Sequence, residues 1–192
     1  MPAARSSHRD GGPDPEAPLE VTIRPAEPVD APAMGVVWHR AALVGYEGIL
    51  PAGGPPVPSG EAAADGWRRE IAARAAGALV LVACPADPDG PEGPGGPVLG
   101  TIAVVPDPHD SRRGEVAGLY VDPGHWGRGI GGSLHSAALE HLRWVGYRMA
   151  LLWVLEGNVR ARSMFERWGW QLTAGRRTDV MGVDELCYLR TP

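Results

Sequence analysis

The stretch that most constrains this chain is Leu119 to Ser133, which reads Leu-Tyr-Val-Asp-Pro-Gly-His-Trp-Gly-Arg-Gly-Ile-Gly-Gly-Ser. Leu119, Tyr120 and Val121 suit a strand, and Asp122-Pro123-Gly124 must end it, because proline offers no ladder N–H and glycine takes turn dihedrals. Glycines follow at 127, 129, 131 and 132. Lacking Cβ, they let another molecule approach the backbone closely. Leu134, Ala138, Leu142 and Val145 then recur with helical spacing, so the loop empties into a helix N-terminus. Unpaired N–H groups and the positive end of the helix dipole favour an anion there, which makes a phosphate-bearing ligand the first expectation.

Two familiar phosphate loops fit poorly. Gly127, Gly129 and Gly132 satisfy G-x-G-x-x-G, and Glu156 ends the next apolar run where a ribose-binding acid would stand. A dinucleotide loop, however, follows its strand almost directly, whereas Asp122 to Trp126 intervene here. Only about one further α-β unit fits between Glu156 and Pro192, too little for a doubly wound sheet. A P-loop needs Gly-Lys-Ser/Thr, and the chain contains no lysine at all.

The same stretch resembles the acyl-CoA loop of the GNAT superfamily of N-acyltransferases, whose usual pattern is Arg/Gln-x-x-Gly-x-Gly/Ala. A second block, Trp153-Val-Leu-Glu-Gly-Asn158-Val-Arg-Ala161-Arg-Ser-Met-Phe165-Glu-Arg-Trp-Gly169-Trp170, is similar to that superfamily's Asn-x-x-Ala-x-x-x-Tyr-x-x-x-Gly-Phe region. The two blocks stand in the right order, one helix apart. The resemblance runs from about Val21, with its core from Glu115 to Trp170. Two departures stand out. Trp126 occupies the place where Arg or Gln is commonest, and Phe165 the place of a tyrosine that often protonates the leaving thiolate. Phenylalanine has no proton to donate.

The rest of the composition is compatible with that reading. A chain of 192 residues with 44% apolar content can bury one substantial core. A net charge of −5 argues against broad attraction to nucleic acid. Cys84 and Cys187 suggest neither a disulfide framework nor metal spacing. No apolar run reaches the ~18 residues that span a bilayer, and the N-terminal segment lacks the apolar stretch of a secretory signal. The expectation is a cytoplasmic protein that binds no metal, nucleic acid or membrane.

In chain order, residues 1–18 are polar and rich in Pro and Gly, a disordered tail ahead of one domain over 19–192. Glu20 to Arg24 alternate as a first strand. Asp30 is placed to cap a helix with Pro32 in its first turn and Met34, Val37, Trp38, Ala41 and Val44 on its apolar face. Pro51 to Pro58 is a loop, and 61–76 a second helix. Strands follow at 78–84 and 98–105, joined by the Gly/Pro-rich connection 85–97. Alternation over 115–121 puts Glu115, Ala117, Leu119 and Val121 on one face, and Tyr120 on the other. A strand over 149–155, a helix over 158–168 and strands over 171–176 and 185–190 complete the order β-α-α-β-β-β-α-β-α-β-β. The resemblance implies an α/β (α+β) fold with a mixed, splayed central sheet of about seven strands and about four helices. GNAT proteins often pair through their last strands, so a homodimer is a further expectation.

By the same resemblance, acetyl-CoA is the co-substrate, with its pyrophosphate on Trp126, Gly127, Arg128, Gly129, Ile130, Gly131 and Gly132 and its pantetheine beside Leu119, Tyr120 and Val121. Asn158 would reach the pantetheine arm, and as the start of a helix it is equally suited to cap it. Phe165 lies beside them. A backbone N–H of the 119–121 strand would meet the thioester oxygen. The attacking amine, with a pKa near ~10 if lysine-like, needs a base. Glu115 is the candidate and Glu156 the runner-up, with His125 at the loop's lip. Tyr120 and Tyr188 are the hydroxyls available to protonate the thiolate. Trp38 and Tyr46 are candidates for an acceptor wall, although Trp38 also fits its helix's apolar face. Glu47, Glu61, Asp65, Asp179 and Asp184 could make an acceptor site acidic.

These features together predict transfer of an acetyl group to a primary amine of a small molecule or a peptide N-terminus. The missing tyrosine keeps open a CoA-binding regulatory module without catalysis. Transfer of longer acyl groups, or to hydroxyls, is the other alternative.

Overall fold

The computed structural model describes residues 18–73, 75–86 and 94–192. The expected tail falls almost entirely outside them, as does most of the 85–97 connection. Seven strands, β1 (Val21–Pro25), β2 (Leu79–Pro85), β3 (Gly100–Pro106), β4 (Arg113–Val121), β5 (Met149–Leu155), β6 (Gln171–Thr178) and β7 (Asp184–Arg190), form one sheet in the order β1-β2-β3-β4-β5-β7-β6. Four helices, α1 (Ala31–Gly45), α2 (Gly60–Ala73), α3 (Ile130–Val145) and α4 (Val159–Arg167), cover its two faces. The element order and the mixed sheet are those predicted above.

Each face of the sheet carries its own core. Leu134, Ala138 and Leu142 of α3 and Phe165 of α4 pack with Ile102, Val104, Val116 and Leu152 on one side. Met34 and Val37 of α1 and Ile71 of α2 pack with Val80, Val82 and Ala103 on the other. Residues that alternate along the central strands therefore feed opposite cores, which is why these strands read as continuous apolar runs. α1 and α2 approach so closely that a Cβ on Gly35 would run into the carbonyl of Gly60.

Two features of β4 shape everything downstream. Its pairing with β3 slips between Ala103 and Val104, so Gly118 faces Ala103 while Val116 faces Val104. Ala117 is the extra residue of a β-bulge. The bulge reverses the alternation predicted from sequence. Glu115 shares a face with Tyr120, which packs beside the α1/α2 core, while Leu119 and Val121 join the α3 side. The second feature is the parallel pairing of β4 with β5, which covers only Arg113–Val116 against Met149–Leu152. β5 then leaves β4 and continues along β7 through Leu155. Beyond Val116 the sheet is open along one edge of β4.

Asp30 does not cap α1 as the sequence suggests. Its side chain makes no cap bond to α1 and instead, fully buried, accepts from both Arg24 guanidinium nitrogens at 2.7 and 2.8 Å and from the N–H groups of Glu27 and Gly95, each at 2.8 Å. Burial pushes its carboxyl up, but these donors prevail and hold it at about 2. Asp30→Ala removes the carboxylate that pairs with Arg24 and the tie from β1 to Gly95. Such losses cost about 3–5 kcal/mol, and urea unfolding is the measurement that checks this one.

His135 of α3 is buried, accepts at Nε2 from Trp170 Nε1 at 3.0 Å, and stacks on Trp168 with ring centroids 4.5 Å apart. Burial, assisted by Arg190, lowers its pKa to about 4. The unfolded chain, titrating near 6.5, binds the proton more readily. The stabilising contribution is therefore complete above about pH 6.5 and is lost as pH falls through about 4. Between about pH 7.5 and pH 5 the loss amounts to about 2 kcal/mol. Urea midpoints at the two pH values should show it, and His135→Gln should flatten the difference.

Candidate active site

A cavity of about 430 Å³ runs from the N-terminus of α3, along the open edge of β4, to the far ends of β5 and β7. Its floor is set by the glycine loop. Gly127 and Gly129 have φ of +81° and +86°, in the left-handed region that a side chain resists. Gly129 is the N-cap of α3 and no side chain caps that end. The N–H groups of Ile130, Gly131 and Gly132, all lining the cavity, begin a helix and have no acceptor within it. That is the chemistry an anion needs. Trp126, in the position usual for Arg or Gln, closes the lower end by donating from Nε1 to Val121 O at 2.7 Å.

From the loop, the open edge of β4 leads to the bulge. Backbone groups of residues 117–121 that point away from β3 have no strand opposite them, so they are free to bind an extended arm and to polarise a carbonyl. Asn158, at the start of α4, lines the same space while its Oδ1 accepts from Ala161 N–H at 3.0 Å. Its cap role is thus realised, and its amide NH₂ remains. Phe165 is buried, edge-on to Trp168 and Trp170, and closes the cavity on the α4 side.

The far end is ionic and aromatic. Arg177 of β6 donates from Nε to Glu185 at 2.6 Å, lies 3.8 Å from Glu115, and places its guanidinium 4.4 Å from the centre of the Trp153 ring. Burial raises the Glu115 carboxyl above its ordinary range; Arg177 opposes this, and Asp107 and Glu185 add to it. Tyr46, at the end of α1, lines the same end. Its hydroxyl is pushed far up by burial and then by Tyr120, so it stays protonated.

Most of the residues singled out from sequence meet in this one cavity: Glu115, Leu119, Tyr120, Val121, Trp126, Gly127, Gly129, Ile130, Gly131, Gly132, Asn158, Phe165 and Tyr46 all line it, as does His125. Arg128 does not; its carbonyl instead accepts from Leu19 N–H at 3.1 Å. Trp38 lies beyond Tyr120, meeting that ring edge-on at 6.1 Å, and lines a separate cleft of about 350 Å³ with Trp67. Glu156 is drawn away to Arg176, which donates to both carboxylate oxygens at 3.0 Å. Tyr188 lies outside the cavity, fully buried, with its hydroxyl donating to Glu166 and accepting from Arg162. It is not available to protonate a leaving group there.

Several cavity residues escape a reading of the sequence. Glu185, Arg177 and Trp153 meet only because β7 pairs with both β5 and β6, and Glu185, rather than Glu47, Glu61, Asp65, Asp179 or Asp184, supplies the second acid beside Glu115. Arg160 and Arg167 were readable in principle from their placement on the helix that Asn158 begins. Among the described residues no group of His, Cys, Asp or Glu could hold a metal ion, and no helix is long and apolar enough to cross a membrane.

Comparison with known proteins places this geometry. The chain is 45% identical over 56 residues to a mycothiol acetyltransferase of Geodermatophilus obscurus, a match covering 29% of this chain and 18% of that one. The mycothiol acetyltransferases it matches are aligned over about a fifth of their length, 18%, 20% and 23%. Among solved structures, the PaiA N-acetyltransferase of Thermoplasma acidophilum in complex with coenzyme A superposes with a TM-score of 0.66 at 17% identity, over 91% of this chain and 100% of that one. YncA of Salmonella typhimurium, solved with acetyl-CoA, gives 0.62 at 18% identity, over 89% and 93%. These likenesses are of fold. The family model described as the acetyltransferase (GNAT) family matches residues 55–170. Because that match runs through the glycine loop, the parted strands and α4, more than half of the described fold's length, the chain belongs to the acetyltransferase (GNAT) family.

Proposed function

We propose that the protein is an acetyl-CoA-dependent N-acetyltransferase that delivers the acetyl group directly to a primary amine of a small molecule or peptide N-terminus. The observation that carries this reading is one continuous cavity joining an anion-binding helix start to a half-buried carboxylate, along a strand edge left open by its neighbour. Gly127 to Gly132 suit a pyrophosphate, and the 117–121 edge suits the amide-bearing pantetheine arm. Two relatives in fold were solved with coenzyme A or acetyl-CoA.

The co-substrate supplies an activated acetyl group as a thioester. The protein's own contribution is then electrostatic and positional. Glu115, whose carboxyl is raised by burial, is a stronger base than an exposed glutamate and takes the proton of the incoming ammonium, directly or through water. N–H groups of the open β4 edge face the developing oxyanion. Tyr120, which lines the cavity beside that edge, is the hydroxyl available to protonate the departing sulfur.

Isothermal calorimetry with acetyl-CoA, followed by thiol release against a panel of amines, tests the proposal. Binding together with amine-dependent release is the expected result. Binding without release from any amine would favour the regulatory module, and no binding would overturn the donor assignment.

A further inference from the structure

Among the described residues, the amine end of the cavity holds several acids and one arginine. Three arginines line the cavity. Arg160 lies over the Trp126 ring at the glycine loop, and Arg167 closes α4 next to Trp168, whose ring approaches Gly131. Only Arg177 reaches Glu115. Its neighbour on β6, Arg176, donates to both carboxylate oxygens of Glu156 and lines no part of the cavity.

Arg177 is itself committed. Glu185 stands directly across from it in the β6–β7 pairing and accepts from Nε at 2.6 Å. A terminal nitrogen of Arg177 lies 3.8 Å from Glu115, and the guanidinium covers the Trp153 ring at 4.4 Å. Two carboxylates therefore share one cation, which leaves the group with a surplus of negative charge when both are ionised. Glu115 and Glu185 keep only 15% and 14% of their side chains exposed, so water and salt screen them weakly. Other acids lie close. Burial foremost raises the Glu115 carboxyl, with Asp107 and Glu185 adding to it against Arg177, and Glu185 and Asp179 add to the rise that burial and Tyr120 impose on the Tyr46 hydroxyl. An ammonium entering here meets a favourable field. A carboxylate on the carbon next to that nitrogen arrives beside the same acids, gives up its water and finds the neighbouring cation taken.

We propose that this end of the cavity accepts amines with no carboxylate beside the nitrogen, alkylamines and amide-linked N-termini, and rejects free α-amino acids. Glu185 is the specificity residue, because it occupies the cation that would otherwise receive their carboxylate. This deepens the amine reading proposed above and rests on it. Glu185 takes no part in the acyl transfer itself.

The test measures kcat/KM, per unit of free amine and with saturating acetyl-CoA, for three matched sets: tyrosine, tyrosinamide and tyramine; leucine, leucinamide and isoamylamine; alanine, alaninamide and ethylamine. In each set that is turned over, the amide and the amine should exceed the free amino acid at least about 100-fold, the scale of a like-charge juxtaposition. Glu185→Gln releases Arg177 and should narrow that ratio about tenfold. It also removes the push of Glu185 on the Glu115 carboxyl, so the acid limb of the pH profile should move to lower pH, a change that a purely structural role would not produce. Asp184→Asn, which removes the adjacent exposed carboxylate outside the cavity, should leave the ratio within about twofold. A free amino acid used as well as its amide would overturn the proposal, as would a Glu185→Gln variant that keeps the parent's ratio or an equal narrowing by Asp184→Asn. No turnover of any member would instead overturn the amine reading, a failure distinct from turnover of the amino acids.

Discussion

Glu115→Gln is expected to lower kcat by about 10²- to 10³-fold, the range in which a positioned general base contributes. Acetyl-CoA affinity should stay within about twofold, since the residue sits at the opposite end of the cavity from the glycine loop. The side chain is nearly isosteric, so the Arg177–Glu185 pair beside it stays in place. The pH profile gives the sharper signature. Burial raises the Glu115 carboxyl, so kcat/KM of the parent should fall as the medium is acidified through that raised value, at a pH above the usual range for a glutamate. Above it, activity should continue to rise as more of the free amine is available. The glutamine variant should lose the acid limb and keep the alkaline rise. A variant with unchanged kcat, or one that retains the acid limb, would remove Glu115 from the chemistry.

The second large effect is at the other end. Gly129→Glu should reduce acetyl-CoA affinity at least about 100-fold. Two causes combine: a side chain at φ +86° strains the loop by about 1–2 kcal/mol, and a carboxylate then stands where N–H groups must receive a phosphate. No neighbouring atom lies within 4 Å of the Cβ position, so the fold should persist with a small drop in Tm. Gly129→Ala separates the two causes, because it carries the strain without the charge; about a tenfold loss is expected. Calorimetry on both variants, with Tm measured alongside, checks the order.

Much of the fold was legible because it is written in local periodicity. Leu134, Ala138 and Leu142 mark α3 and the Asp122-Pro123-Gly124 break marks the end of β4, and both elements are observed where expected. The facing of Glu115 was not legible. A strict two-residue period puts it with Leu119, and only the register against β3, set by residues distant in sequence, inserts the bulge at Ala117 that turns it toward Tyr120. The acidic partner was missed for a related reason. Arg177 stands opposite Glu185 because β6 and β7 pair with a shift between Leu172 and Arg176, and no local pattern announces that register. Asp30 and Tyr188 show a third limit. A residue in a cap position can spend its side chain on a tertiary partner, and a tyrosine near a site in sequence order can be committed to a core network.

An open edge of β4 that brings donor and amine together lets the acetyl group pass directly from one to the other. Initial rates over a matrix of acetyl-CoA and amine concentrations, with intact-protein mass recorded during turnover, test it most directly. Direct transfer gives intersecting double-reciprocal lines, one N-acetylated amine per thiol released, and no acetylated protein on the reaction path. Parallel lines with an acetyl-enzyme that passes its group to the amine would contradict it.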